Sequence, residues 1–163
     1  MKRKLSAAFA VIMAVCILMA QAVCFTACAD SEDAPSIVVS STEAKAGDTV
    51  DVTITMSNNP GLVSANLYVN YDADVLKLKE VKDGGLLSGV THSDNYTTSP
   101  YGLCWVNDTA PENFKVNGVL ATLTFEVSEE AVTGTTTISL DQDILNFDMD
   151  NVVFDLVSGN IQI

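Results

Sequence analysis

The sequence predicts an all-β fold, a sandwich of two sheets built from about eight or nine short strands. Two observations lead to this prediction. From Ser36 onward, stretches with alternating apolar and polar side chains are separated by turns rich in Gly, Asn, Asp or Pro. The spacing of apolar residues that is typical of helices is nearly absent. Strands with one apolar face each must pair as two facing sheets or close into a barrel, and we favour the sandwich.

The strands can be placed in order along the chain. The clearest is 49–57, where every second residue from Val50 to Met56 is apolar. The same alternation recurs at 119–127 and 136–140. Residues 88–100 lack periodicity and are predicted to form a long loop with room for one irregular strand. The remaining predicted strands are 37–40, 62–71, 76–81, 101–106, 152–154 and 157–163.

Residues 1–29 have the order of a secretory signal peptide: a basic start, an apolar run, and small residues at two candidate cleavage sites, after Ala22 and after Ala29. We therefore expect a secreted, extracellular protein, with residues 30–35 as a short acidic linker and 36–163 as one domain. A retained membrane anchor is the alternative. Residues 25–28 approximate a bacterial lipobox, so Cys28 is a candidate lipidation site that would make the protein a cell-surface lipoprotein with a lipid anchor in the membrane.

Residues 30–163 are strongly acidic. They hold all 21 Asp and Glu residues and five of the eight basic residues, so their formal charge is −16 against −13 for the whole chain. Such a charge repels nucleic acid and anionic lipid head groups, which are bound through Lys and Arg. The sequence thus excludes a nucleic-acid partner and favours a partner that is basic or carries calcium.

The stretch from Asn58 to Gly89, NNPGLVSANLYVNYDADVLKLKEVKDGGLLSG, resembles the cohesin family, the receptor modules of cellulosome scaffolds. The order of its features carries the resemblance: Asn-Asn-Pro-Gly after a strand, a strand ending in Tyr71-Asp72, then a Gly-Gly-Leu-Leu turn. The segments GVLATLTF, from residue 118, and SGNI, from residue 158, agree with it. The resemblance covers 36–163.

Membership of this family implies a jelly-roll sandwich of about nine strands. It also implies a non-catalytic role, which is to bind a dockerin. A dockerin is the small calcium-loaded module carried by plant-polysaccharide-degrading enzymes. The chain would then need no cofactor of its own, because the calcium belongs to the dockerin, and it would be a monomer before partner binding.

Strand 62–71 supplies the candidate binding face. Ser64, Asn66, Tyr68 and Asn70 alternate with apolar residues and are expected to face solvent. An exposed Tyr between two Asn forms a flat amphipathic patch of the kind enriched in interfaces, although an ordinary exposed strand is the alternative.

The resemblance to cohesins adds two candidate dockerin contacts and bears on which class of dockerin is bound. In cohesins this strand contributes to the dockerin face together with the strand equivalent to 101–108, from which Asn107 and Asp108 are carried over as polar contacts. The best-known cohesin class has an acidic residue at the position of Asn66 and Asn at the position of Ser64. These departures indicate a divergent subgroup such as that of ruminococcal scaffolds.

Two other functions are considered for a secreted sandwich: a carbohydrate-binding module that stacks Tyr96, Tyr101 or Trp105 on sugar rings, and a cell-surface adhesion or structural domain. Trp105 alternates with Leu103 and is expected in the core. Cys104, the one cysteine left after cleavage at Ala29, cannot form an intrachain disulfide and is expected to be a buried small hydrophobe.

Metal binding and catalysis find little support. The acidic residues at 141–143 and 148–151 lack the spacing of an EF-hand and are predicted to form a solvated loop, with no metal site. His92, the single histidine, lies beside Ser93 and Asp94, and three adjacent residues cannot converge as a catalytic triad. The sequence therefore indicates that the protein is not an enzyme.

Overall fold

Eleven strands form two sheets in the residues that the computed structural model describes, 34–163 with gaps at 88–89, 93–94 and 108–111. The predicted leader, 1–29, lies outside these residues. The first sheet contains, in order across it, β10 (Asp155–Val157), β1 (Ser36–Val39), β3 (Thr49–Ser57), β8 (Gly118–Val127) and β5 (Leu76–Asp83). The second contains β2 (Thr42–Glu43), β11 (Gly159–Gln162), β9 (Thr135–Leu145), β4 (Ser64–Asn70), β7 (Tyr101–Val106) and β6 (Val90–His92).

The core lies between the two sheets because each long strand turns its apolar residues inward. In β3, Val52 and Ile54 point into the core and are fully buried, whereas Asp51 points to the outer side and is exposed. Aromatic pairs link the layers: the Tyr71 and Phe125 ring centroids are 5.1 Å apart, edge to face. The predicted two-sheet β-sandwich is confirmed, and β3 and β7 have the predicted bounds.

The strand pattern differs from the prediction in four places. The short β2 and β6 are additional strands, and β6 is the irregular strand for which the 88–100 loop had room. The predicted strand 157–163 is divided, because Val157 ends β10 in the first sheet and β11 lies in the second. Residues 141–143, predicted as a loop, belong to β9. Residues 152–154, predicted as a strand, are not one, because the inward side chain of Gln142 takes the place of a strand partner. Its amide donates to the Phe154 carbonyl at 2.6 Å and accepts from the Phe154 N–H at 3.1 Å.

The beginning and the end of the sandwich are joined in both sheets. β1 runs parallel to β10, and β2 runs parallel to β11. The Asn160 N–H donates to the Ser41 hydroxyl at 3.0 Å across 119 positions of sequence. All of these contacts lie within one compact unit, Asp33–Ile163. Since this unit holds its own core, we expect residues 30–163 to fold by themselves.

Among the described residues, no helix has both the length and the apolar character needed to cross a membrane.

Candidate functional site

The outer side of β4 carries the side chains that the alternation predicts there. Tyr68 is 42% exposed, and Ser64, Asn66 and Asn70 are half-buried, while the residues between them are buried. Strands β7 and β9 flank β4. We call this surface the β4 face, and its members are Ser64, Asn66, Tyr68 and Asn70 from β4, Gly102, Cys104 and Val106 from β7, and Asp141, Asp143 and Leu145 from β9.

The register of the three strands arranges the β4 face in rows that run across the sheet. Residues directly opposite one another on neighbouring strands are close enough for their side chains to act together. The rows are Val106, Ser64 and Leu145; Cys104, Asn66 and Asp143; and Gly102, Tyr68 and Asp141. Tyr68 thus projects between a carboxylate on one side and a residue without a side chain on the other.

The β4 face is acidic. Asp141 and Asp143 are exposed on it, and the Asn70 amide donates to the Asp141 carboxylate at 2.9 Å, which fixes the orientation of that group. None of its members is basic. A partner that presents N–H donors or cations would complement this surface.

Three of the lysines lie on the other sheet, on the edge strand β5: Lys77, Lys79 and Lys82. The Lys79 ammonium is 2.9 Å from the Glu126 carboxylate, and this hydrogen bond holds the pKa of Glu126 below its usual range. Lysines on an edge strand hinder pairing with the sheet of another chain. These three lysines therefore lie on the sheet that does not carry the β4 face.

Cys104 is exposed on the β4 face, so the prediction that it is buried is wrong. The alternation of β7 explains the error. Leu103 and Trp105 point into the core, which leaves Cys104 on the outer side.

Of the two contacts carried over from the end of β7, the structure describes only Asn107. Asn107 directly follows the strand, is half-buried, and donates its N–H to the Val63 carbonyl at 3.0 Å, which places it at the Ser64 end of the β4 face. Asp108 lies outside the described residues.

The aromatic residues considered for sugar stacking do not form a platform. Tyr101 and Trp105 are 0% and 1% exposed, so neither ring can contact a sugar, and the prediction that Trp105 lies in the core is confirmed. Tyr96 is half-buried, and its ring stacks on Tyr101 with centroids 5.8 Å apart. The rings that a carbohydrate-binding module would display on its surface are thus packed in or against the core of this domain.

Tyr71 holds the loop at 95–100 in place through hydrogen bonds. Its hydroxyl donates to the Thr98 carbonyl at 2.9 Å, with the Tyr96 carbonyl also within reach at 3.3 Å. The Ser99 hydroxyl accepts from the Tyr71 N–H at 3.0 Å and donates to the Tyr71 carbonyl at 2.7 Å. The loop beside the β4 face is therefore held in place from the core side.

Burial raises the pKa of the Tyr71 phenol above its ordinary value. The folded protein keeps this phenol neutral at a pH where the unfolded chain ionises it, so its contribution to stability is complete below about pH 10 and is lost as the pH rises through the raised pKa. We expect wild type to be more stable than Tyr71→Phe at pH 8 and this difference to shrink at pH 11. Urea unfolding at both pH values measures it, with Tyr68→Phe as a control for loss of an exposed hydroxyl. A difference that is independent of pH would contradict the assignment.

In the described part of the chain, no three His, Cys, Asp or Glu side chains lie close enough together to hold a metal ion. His92 lies in β6, but its side chain is outside the described residues, as are Ser93 and Asp94.

Six members of the β4 face were missed by sequence reasoning: Gly102, Cys104, Val106, Asp141, Asp143 and Leu145. The three in β7 could have been found, because the alternation of 101–106 already places them opposite the buried residues. The two aspartates could be found only after 141–143 was recognised as part of a strand.

Comparison with known proteins supplies the family. A family model described as "Cohesin domain" matches residues 35–163. Cellulose-binding protein A from Clostridium cellulovorans is 30% identical over 105 residues, which are 63% of this chain and 6% of that protein. The cellulosome-anchoring protein from Acetivibrio thermocellus is 25% identical over 137 residues, 78% of this chain and 31% of that protein. The chain thus spans less than a third of either relative.

Solved structures share the fold at lower identity. The third cohesin of ScaC from Acetivibrio cellulolyticus, solved with the ScaB dockerin, has a TM-score of 0.72 and 22% identity, covering 79% of this chain and 98% of its own. A type I cohesin from a cohesin–dockerin complex of Clostridium thermocellum gives 0.69 and 22%, with coverages of 79% and 98%. A non-cellulosomal cohesin from Archaeoglobus fulgidus gives 0.66 and 19%, with coverages of 79% and 90%.

The match to the family model covers well over half of the chain and includes every strand of the sandwich. The chain belongs to the cohesin family.

Proposed function

We propose that this chain is a non-catalytic cohesin module whose β4 face binds a calcium-loaded dockerin, and so tethers a polysaccharide-degrading enzyme or a scaffold subunit in a cellulosome. The observation that carries the proposal is Tyr68, an exposed ring at the centre of an open face on three hydrogen-bonded strands. Family membership supports it, as do the cohesins of similar fold whose structures were solved in complex with dockerins.

The physical basis is a surface that is already in its binding shape. Most of the contact residues lie on β4, β7 and β9 rather than on loops, so little conformational entropy is lost when a partner docks. Tyr68 and Asn66 act as central anchors, since binding energy concentrates in a few well-placed residues. Asp141 and Asp143 select partners that carry N–H donors or positive charge, while Ser64, Asn70, Asn107 and Asp108 complete the polar surroundings.

The proposal extends to the cellular setting. The signal-peptide pattern of 1–29 supports secretion to the outside of the cell, and the lipobox-like sequence at Cys28 supports attachment to the cell surface by a lipid. The module acts as a monomer until a dockerin-bearing protein binds. The residues at the positions of Ser64 and Asn66 favour a dockerin of a divergent subgroup.

Calorimetric titration of residues 30–163 tests the proposal. The panel contains dockerins of distinct classes, including the ScaB dockerin of Acetivibrio cellulolyticus, a type I dockerin of Clostridium thermocellum and ruminococcal dockerins, each measured with calcium and with EDTA. We expect one class to bind with a Kd below about 1 μM and to lose binding in EDTA, because the calcium stabilises the dockerin. Absence of binding across the panel would contradict the proposal.

A pull-down on insoluble cellulose and xylan is the matched control. This module is expected to stay in solution unless a dockerin-bearing protein is present, because Tyr101 and Trp105, two of the rings considered for sugar stacking, are buried. Retention of residues 30–163 alone on either polysaccharide would favour the carbohydrate-binding alternative.

A further inference from the structure

Gly102 occupies a position on the β4 face where the fold does not require glycine. It lies in β7 between the buried Tyr101 and Leu103, so a side chain at this position would point outward. Glycine within a strand weakens the strand, because it loses the most backbone freedom on folding and has no side chain to pack. The presence of a glycine within β7, an internal strand of the six-stranded sheet, therefore needs a reason.

The two usual structural reasons are absent at this position. The backbone of Gly102 is not among the positive-φ glycines of the described chain, unlike Gly61 and Gly118, so any residue can adopt its conformation. Apart from its own chain neighbours, no heavy atom of the described residues would lie within 4 Å of a Cβ atom at Gly102. At Gly84 and Gly159, by contrast, a Cβ atom would collide with the Val119 and Ser40 carbonyls.

The ring of the cross-strand neighbour does not fill the gap either. An aromatic residue opposite a strand glycine can fold over it and compensate for the missing side chain. Tyr68 is directly opposite Gly102, but no atom of its ring comes within 4 Å of the Cβ position. Among the described residues, the space above Gly102 beside Tyr68 is therefore open, and Cys104 is the next outward residue of β7.

We propose that Gly102 is a specificity-determining residue of the dockerin face: its missing side chain leaves a notch beside Tyr68 that receives an aliphatic side chain of the dockerin. The inference rests on the function proposed above. The described groups beside the notch are the Tyr68 ring, the Cys104 thiol and bare backbone, with the Asn66 and Asn70 amides along β4 on either side of Tyr68. An aliphatic group suits it because such a group can rest on the ring and the bare backbone, whereas the carboxylate of Asp141 lies on the opposite side of Tyr68. Contact with the ring and the backbone would bury apolar area at the centre of the interface, where it contributes most.

The test is a size series at one position, Gly102→Ala, Gly102→Val and Gly102→Leu, titrated against the dockerin that binds wild type most tightly. We expect affinity to fall with side-chain size, by less than about threefold for Ala and by at least about tenfold for Leu, since added methylene groups overpack a filled contact. Thermal unfolding should show no loss of stability, and Gly102→Val should raise Tm by about 2–4 °C. Thr122→Leu, which adds similar bulk on the outer side of β8 in the other sheet, should leave affinity unchanged.

The outcomes separate this inference from the proposed function. If wild type binds a dockerin and Gly102→Leu binds equally well with an unchanged Tm, the proposed role of Gly102 is wrong and the proposed function is unaffected. If the series lowers Tm in step with affinity, Gly102 is a structural glycine and the inference is overturned. If wild type binds no dockerin, the proposed function fails, and the inference fails with it.

Discussion

Replacing Tyr68 with alanine is expected to weaken dockerin binding by about thirtyfold or more, which corresponds to about 2 kcal/mol. The ring is 42% exposed and at the centre of the β4 face, so its removal takes away contact area in the complex and little packing in the free protein. The free energy of unfolding should change by less than about 1 kcal/mol. Calorimetric titration and urea unfolding of the same preparations measure the two effects.

Three further variants show whether the loss belongs to this ring. Tyr68→Phe should keep most of the affinity if ring area is the main contribution. Asn66→Ala, next to Tyr68 on the same face, should weaken binding by a smaller factor. Val157→Ala removes a 48% exposed apolar side chain from β10 in the other sheet and should have no effect on binding. If Tyr68→Ala and Asn66→Ala both bind as wild type does, the dockerin is bound elsewhere on the module.

Replacing Trp105 with alanine is expected to lower the free energy of unfolding by about 3–5 kcal/mol. The indole is 1% exposed, and its ring meets the Phe114 ring edge to face with centroids 5.4 Å apart. Its removal leaves a cavity and an unpartnered aromatic ring in a domain whose total stability is of the order of 5–15 kcal/mol. Trp105 is the single tryptophan of the chain, so circular dichroism should follow urea unfolding in all variants.

Trp105→Phe is the matched control and should cost less, because it keeps an aromatic partner for Phe114 while reducing the volume. One combination of results would favour the carbohydrate-binding alternative. If Trp105→Ala were as stable as wild type and the wild-type protein alone were retained on cellulose, the ring would have to be a surface platform rather than a core residue.

Local alternation predicted the long strands because in each of them one face is buried. In β3 the apolar residues from Val50 to Met56 leave no choice of which side faces the core, so both bounds were predicted correctly. The same argument put Tyr68 outside and Trp105 inside.

The errors arose where residue type competed with alternation. Cys104 was expected to be buried because cysteine usually is, yet its neighbours in β7 had already determined its direction. Residues 141–143 looked like a loop because Asp is rare in strands, but pairing of Asp141 and Asp143 with β4 extends β9 through them. Contacts distant in sequence, such as the bond between Gln142 and Phe154, could not be foreseen from one segment.

The parallel pairing of β1 with β10 and of β2 with β11 has a consequence for how the chain folds. The first strands to be synthesised have no partner on these edges until residues 119 positions later are available. Closing such large loops has an entropic cost before any contact compensates for it, so β-sandwiches of this kind fold on a timescale of about milliseconds to seconds. Neither sheet can be completed before the last strands are available, so the domain acquires its full set of strand pairings only after β10 and β11 have been synthesised.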